Sequence, residues 1–287
     1  FEQERVDLLN GASYLDKTTI EFLPSLSFIK FFDKFNIFGG IHRGYSAPSS
    51  GALKVTNFSV ETGLDLKSEK SWNKEIGIRS TNKSKLFDYE FSFFHVDIED
   101  MVAAGRGTKF ENLGKTTTMG SESYIKVKLP NIGLFVSHTF MKSEINIGEL
   151  EQYTFIGTGV TNISGNELPY VPENTLLVGL EGKLSDIFKI RLDYKYVDEI
   201  YTDFHNLEEI GKLGIQGPIP SYSVINASMN YKFSDRIHIS LVGKNLADKI
   251  YIGSRLHSNP GQQAANLSSG IIPGPRRQIN FGINYTF

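Results

Sequence analysis

The last ten residues, Gln278-Ile279-Asn280-Phe281-Gly282-Ile283-Asn284-Tyr285-Thr286-Phe287, alternate without a break. Ile279, Phe281, Ile283, Tyr285 and Phe287 share one face; Gln278, Asn280, Gly282, Asn284 and Thr286 share the other. A period of two marks a strand whose faces meet different media, one apolar and one polar. The pattern recurs upstream. Ile225, Ala227, Met229, Tyr231 and Phe233 oppose Asn226, Ser228, Asn230 and Lys232. Phe188, Ile190, Leu192, Tyr194 and Tyr196 oppose Lys189, Arg191, Asp193 and Lys195, and Ile237, Ile239 and Leu241 oppose Arg236, His238 and Ser240. Phe87 to Ile98 fits if a bulge sits at Phe93-Phe94. Phe87, Tyr89, Phe91, Val96 and Ile98 then face one way, and Asp88, Glu90, Ser92, His95 and Asp97 the other. Two consecutive outward-leaning Phe residues are the other arrangement open.

Extended outward, this reading predicts about eleven strands, near 20–31, 36–45, 69–80, 86–100, 115–129, 132–143, 172–184, 187–200, 220–233, 236–250 and 276–287. Short connections (Asp33-Lys34-Phe35, Thr81 to Lys85, Pro130-Asn131-Ile132, Ser185-Asp186-Ile187, Ser234-Asp235) alternate with long ones. The long ones run near 46–69, 103–115, 142–171, 201–220 and 249–275 and hold most of the Gly, Pro, Ser and Asn. Strands of ~9–11 residues joined this way match a transmembrane antiparallel β-barrel. A soluble sandwich fits less well. Aromatic residues run to the strand ends on the apolar face, charged residues sit mid-strand on the other, and Greek-key crossovers seldom keep strict loop alternation. Bacterial single-chain barrels have even strand numbers, so an odd count with two open edges is expected of part of a larger barrel.

Composition narrows the function classes. The chain has 287 residues, 22% charged, with Lys+Arg 30 against Asp+Glu 32, a net charge of -2. That balance disfavours binding driven by nucleic-acid phosphates. Cys 0 removes disulfides and thiolate chemistry. No uninterrupted apolar run approaches the ~18–20 residues a spanning helix needs. Phe1 is not an initiator Met and no signal-like segment follows it, so a mature chain or a piece of a longer one is expected. No shift in composition divides residues 1–287, which read as one domain.

Several segments resemble the TonB-dependent outer-membrane receptors, and within them the ferric-dicitrate-receptor-like group. They are Phe38-Gly-Gly-Ile-His-Arg-Gly-Tyr-Ser-Ala-Pro48, Val60 to Arg79 with its Trp72-Asn-Lys-Glu-Ile-Gly-Ile-Arg79 strand, and Phe94-His95-Val96-Asp97. Glu111-Asn-Leu-Gly-Lys-Thr-Thr117, Leu168-Pro-Tyr-Val-Pro-Glu-Asn-Thr175, Gly243-Lys-Asn-Leu-Ala-Asp-Lys-Ile-Tyr251 and Pro273-Gly-Pro-Arg-Arg-Gln-Ile-Asn280 follow in the family's order. The resemblance implies the C-terminal half of a 22-stranded barrel, without the N-terminal plug. It further implies a bacterial outer-membrane location, import of a ferric siderophore or citrate chelate, and energy from a TonB–ExbB–ExbD complex acting through the plug. Iron is cargo here and no resident cofactor is expected. A passive pore, a surface adhesin, or a receptor for a cobalamin or other metal chelate is the alternative. The C-terminal aromatic Phe287 matches the signal that the barrel assembly machinery reads in this family.

An anionic iron–citrate chelate would be met by arginines through bidentate, charge-assisted hydrogen bonds. Arg43, Arg106, Arg255, Arg276 and Arg277 stand in or near the long connections. Arg106 has glycine neighbours suited to a closing loop. His42 and His257 stand beside or near two of these arginines, and Gln262, Gln263 and Asn266 offer neutral hydrogen bonds. Asn245 and Asp248 are expected to bond loop backbone near the outer rim rather than a ligand. The six histidines lack zinc-site spacing. Asp97-Ile-Glu-Asp100 reads as a solvated strand end rather than a cation site, and Pro172-Glu-Asn-Thr175 as a strand entry. Ser137 and His138 are neighbours pointing to opposite faces, which argues against a hydrolase pair. No enzyme chemistry is expected.

Overall fold

A computed structural model describes residues 2–6, 13–18, 20–48, 66–81, 86–104, 110–154, 157–210, 214, 216–255 and 270–287. The candidates Arg106, His257, Gln262, Gln263 and Asn266 lie outside them. One antiparallel sheet of eleven strands dominates. In chain order its members are β3 (Ser25–Phe31), β4 (Phe35–Ser46), β5 (Glu69–Ser80), β6 (Phe87–Glu99), β9 (Lys115–Lys128), β10 (Ile132–Ile147), β13 (Asn174–Ser185), β14 (Phe188–Val197), β15 (Tyr222–Lys232), β16 (Ile237–Lys244) and β19 (Gln278–Tyr285). Each pairs with its successor in that series, so the sheet is a meander, open at β3 and β19. All five short turns fall at one end and all five long connections at the other.

Among the described residues, eight further strands form four separate hairpins: β1 (Glu2–Val6) with β2 (Ser13–Thr18), β7 (Val102–Ala104) with β8 (Phe110–Asn112), β11 (Glu149–Thr154) with β12 (Gly157–Asn162), and β17 (Ile252–Arg255) with β18 (Ile271–Pro273). The last three stand inside long connections, where sequence reading predicts only irregular chain.

Short-turn chemistry is local. Ser234 Oγ accepts from the N–H groups of Arg236 and Ile237 at 3.3 and 3.1 Å, an ordinary serine turn. Thr81 donates to the Asp33 carbonyl at 3.0 Å and ties two neighbouring turns together.

Register carries the apolar face across the sheet as an unbroken row: Ile125, Val136, Val178, Tyr194 and Ile225 stand opposite one another in turn. That face is bare, with Phe93 66% and Phe281 65% exposed. Its upper margin is polar. Asn174 Nδ2 donates to Asp198 at 2.8 Å, Tyr196 donates to the same carboxylate at 2.7 Å, and His138 shares a 3.0 Å hydrogen bond with Asn174 Oδ1.

The bulge expected at Phe93-Phe94 is absent. Pairing runs without a shift from Lys70↔Glu99 to Arg79↔Glu90, and from Phe87↔Val127 to Glu99↔Lys115. Phe93 therefore faces out with Phe91, while Phe94 turns to the polar face with Val96 and Ile98, and His95 and Asp97 continue the outer one. The reason lies on the next strand: Gly120 has no Cβ, and the Phe94 ring fills that space. Phe135 uses Gly179 in the same way. A glycine on the neighbouring strand thus lets a large ring lie flat on an otherwise polar wall. The one shift in β10 falls between Ile145 and Ile147, at the long-connection end.

Candidate functional site

The long-connection end is the most built part of the molecule. Fully buried Leu113, Ile145, Leu150 and Ile163 form a hydrophobic cluster with Ala103 and Leu168, and Met101, Val171 and Phe204 pack on it. The cluster draws on two hairpins and the end of β10, so it joins connections that are far apart in sequence.

Hydrogen bonds extend the union to all five long connections. Asn112 accepts from Lys67 N–H at 2.8 Å and donates to Lys67 O at 2.9 Å. Asn206 does the same to Glu167, at 2.6 and 3.0 Å. A primary amide presents one donor and one acceptor like a peptide unit, so each asparagine stands in for a strand partner. Asn206 holds φ 50, a left-handed conformation that asparagine tolerates. Glu69 accepts from Val102 N–H at 2.7 Å, and Glu111 from Glu151 N–H at 3.2 Å. Tyr170 N–H donates to Tyr201 O at 2.9 Å, and Ile200 pairs with Ile219.

Two further knots close the last connection. Asn245, with φ 48, donates to the carbonyls of Lys249 and Pro275 at 2.8 and 2.9 Å and accepts from Lys249 N–H at 2.8 Å. Asp248 accepts from Arg276 at 2.8 and 2.5 Å and from Arg277 N–H at 3.0 Å. The Arg276 guanidinium holds the Asp248 carboxyl well below the usual carboxylate range. Both residues serve backbone and loop closure, as their sequence pattern indicates. Tyr222 and Tyr251 stack at 4.3 Å across the same connection.

The candidate ligand residues that the structure describes, His42, Arg43, Arg255 and Arg276, do not converge. His42 and Arg43 are neighbours on β4 and face opposite ways. His42 shares a 2.6 Å hydrogen bond with Ser25 on the polar face, whereas Arg43 lies outside, 3.4 Å from Glu99 and over the Trp72 ring at 5.3 Å. Arg255 is buried, at 3% exposure, and its guanidinium donates to Gly214 O and Pro218 O at 2.5 and 2.8 Å. Burial pushes that guanidinium below the ordinary arginine value. Arg276 is engaged by Asp248. Phe287 is fully exposed and packs edge-on against Tyr285 at 5.1 Å.

The polar face carries cations away from the loops as well. Arg191 lies over Phe135 at 4.5 Å and Arg79 over Phe38 at 5.1 Å. Toward the short-turn end, Lys126, Lys128, Glu181, Lys189, Arg191 and Asn230 line a cavity of about 560 Å³. Most of its charge is paired within the wall: Lys126 with Glu181, Lys128 with Asp88 at 2.5 Å, Arg191 with Asp193 at 3.4 Å. Strand alternation places Lys189, Arg191 and Asn230 on this face from sequence alone, and Lys126, Lys128 and Glu181 follow the same alternation on β9 and β13. No group of three or more His, Asp or Glu among the described residues is arranged to hold a metal ion.

Set beside known proteins, the chain is 24% identical to the probable TonB-dependent siderophore receptor PirA of Acinetobacter baumannii, over 90% of this chain and 40% of that protein. It thus spans about 40% of the length of the curated relative it matches. The ferric citrate transporter FecA, solved in its unliganded form, superposes with a TM-score of 0.75 at 16% identity, over 99% of this chain and 40% of that one. The ferric-catecholate import receptor Fiu of E. coli K12 superposes with a TM-score of 0.66 at 19% identity, over 97% and 38%. At such identities these structures establish the fold alone. The family model for the TonB dependent receptor-like β-barrel matches residues 1–246. This chain therefore belongs to the TonB-dependent receptor-like β-barrel family, whose members are receptors and transporters rather than enzymes.

Proposed function

We propose that the chain is the C-terminal part of a bacterial outer-membrane receptor that imports a ferric chelate, of the citrate type or another siderophore. The observation that carries this reading is the two-faced sheet of a receptor-family chain, whose five long connections gather at one end into a single structured rim. The bare apolar face meets lipid, the polar face lines the path, and the rim meets the cargo. The open edges β3 and β19 await the remaining strands of a 22-stranded barrel, since unpaired edges do not persist in lipid.

An anionic chelate is drawn to cations at the mouth, with Arg106, His257 and Gln262 as the proposed contacts in the long connections and His42 on the polar face near the top of β4. Arg43, expected from sequence as a contact, lies instead on the outer face with Glu99 and Trp72. The charge on Arg255 acts from beneath the rim. TonB with ExbB and ExbD supplies energy through an N-terminal plug, and the barrel assembly machinery reads the strand ending in Phe287.

The test is titration calorimetry on the full-length receptor in detergent, with ferric citrate, a ferric catecholate and other siderophores. Saturable binding of ferric citrate, weakened by Arg106→Ala, supports the citrate assignment. Binding of another chelate alone keeps the importer and discards that assignment. Absence of binding to every iron chelate overturns the reading in favour of a passive pore or a non-iron cargo.

A further inference from the structure

Tyr170 and Arg255 are 85 residues apart and bonded through both backbone groups of the arginine. The Tyr170 hydroxyl donates to Arg255 O at 3.1 Å, and Arg255 N–H donates back to the Tyr170 hydroxyl oxygen at 3.3 Å. Neither residue is in an ordinary state. Tyr170 has φ 61, a left-handed conformation that is rare for a large aromatic residue and persists only where surrounding contacts impose it. Arg255 is buried, no carboxylate pairs with it among the described residues, and its Nε is buried without a hydrogen-bond partner. A cation buried against carbonyl groups alone is an expensive way to fill space, which argues for a role other than packing.

What the two residues touch defines that role. Tyr170 belongs to connection 148–173, Gly214 and Pro218 to connection 198–221, and Arg255 to connection 245–277. The Tyr170 N–H reaches Tyr201 O in the second of these as well. We propose that Tyr170 and Arg255 are a positioning pair that makes these three outer connections a single mechanical unit, so that a cargo contact on one is transmitted to the other two. The guanidinium suits this task. Its rigid fork reaches two carbonyls at once, and its charge strengthens both bonds. The coupling does not depend on which cargo is carried.

Amide hydrogen exchange on the full-length receptor in detergent, without cargo, tests this directly. The reporters are Tyr170, Ile200 and Ile219, whose N–H groups bond within or between the first two connections and not to Arg255. Arg255→Gln is expected to speed their exchange roughly tenfold, the scale of a lost hydrogen bond to a charged group, while β13 to β16 keep their protection. Arg255→Lys, whose ammonium lacks the fork, falls between. Tyr170→Phe deletes only the hydroxyl and should speed exchange at Arg255 and at Ile219 alike. Combined with Arg255→Gln it should add little, because both variants open the same junction.

Faster exchange confined to 252–255 and 271–273 overturns the proposal, as does full additivity of the two variants. If Arg255→Gln fails to assemble, Tyr170→Phe decides alone, and unchanged exchange at Ile200 and Ile219 then counts against it. Failure of the wild-type receptor to bind ferric citrate or a ferric catecholate would remove the proposed cargo and leave this exchange result standing.

Discussion

The wall and the rim of this molecule are stabilised by opposite means. In the wall, eleven strands form one layer with few buried apolar side chains among the described residues: Phe135, seated at Gly179, lies mid-sheet, and Ile145, Val197 and Val224 lie toward the long-connection ends of their strands. Its order comes from the backbone ladder and from whatever medium covers the apolar face. The rim resembles a small water-soluble domain, with a closed hydrophobic cluster, asparagines substituting for strand partners, and buried polar groups held by carbonyls. On the proposed outer-membrane reading, the wall draws its stability from the lipid around it, whereas a rim standing in water must bury its own apolar surface.

Cutting into the rim core should have the largest effect. Ile145→Ala or Leu113→Ala removes a fully buried side chain and is expected to cost about 2–5 kcal/mol. The loss should show as faster amide exchange across 100–114 and 148–171 with the strands unaffected. Equal loss in β6 and β9 would show that rim and wall are one cooperative unit, and the contrast would fail.

Next comes a charge on the wall. Phe93→Lys, mid-strand on the bare face, is expected to cost about 2–4 kcal/mol in a lipid bilayer. Folding titrations in vesicles measure it, and indifference to the lysine would mean that this face does not meet lipid.

A smaller effect is expected from pH at the Asp248 knot. Its carboxyl is held below its usual value by Arg276. A depressed folded-state pKa gives a stabilisation that is complete above the unfolded value, near ~3.9, and lost only as pH falls through the lower folded one. The Arg277 N–H, which donates to Asp248, should therefore keep its shift in NMR spectra down to about pH 4 and change only below it. A change centred above pH 5 would contradict the arrangement.

Smallest of all, Arg43→Ala breaks an outward pair with half-exposed Glu99 and should alter stability by about 0–1 kcal/mol, read by thermal unfolding. A larger loss would mean that Arg43 does more than its geometry indicates.

The wall was legible because it obeys one rule. All eleven strands, their order and both kinds of connection follow from period-two alternation punctuated by turn residues, and the alternating rows place Ile279 and Phe281 correctly with no tertiary information. The rule failed at Phe93-Phe94, where the sequence suggested a bulge, or else two outward rings, and the ladder runs on without a shift. What turns Phe94 inward is Gly120, a residue 26 positions away in the chain and adjacent only across the ladder. Of the rim, only the asparagine and aspartate of Lys244-Asn-Leu-Ala-Asp-Lys249 could be read, because their partners are close to the same turn or its closing strand.

Ligand candidates fared differently, since residue type says nothing about what a side chain already holds. Arg255 appears in the sequence as a loop cation close to a histidine, yet it is buried, with Nη1 and Nη2 donating to carbonyls 41 and 37 residues away. His42 and Arg43 read as a pair, and strand parity sends them to opposite sides.

Taken alone, the sequence determined the sheet, its two faces and its two kinds of ends, since these depend on local alternation and on turn chemistry within a few residues. Only the tertiary structure decided that the long connections fuse into one rim, which arginines are spent inside it, and where a large ring may turn against its face. Each of those outcomes depends on which distant residues arrive beside one another, and no local periodicity encodes that.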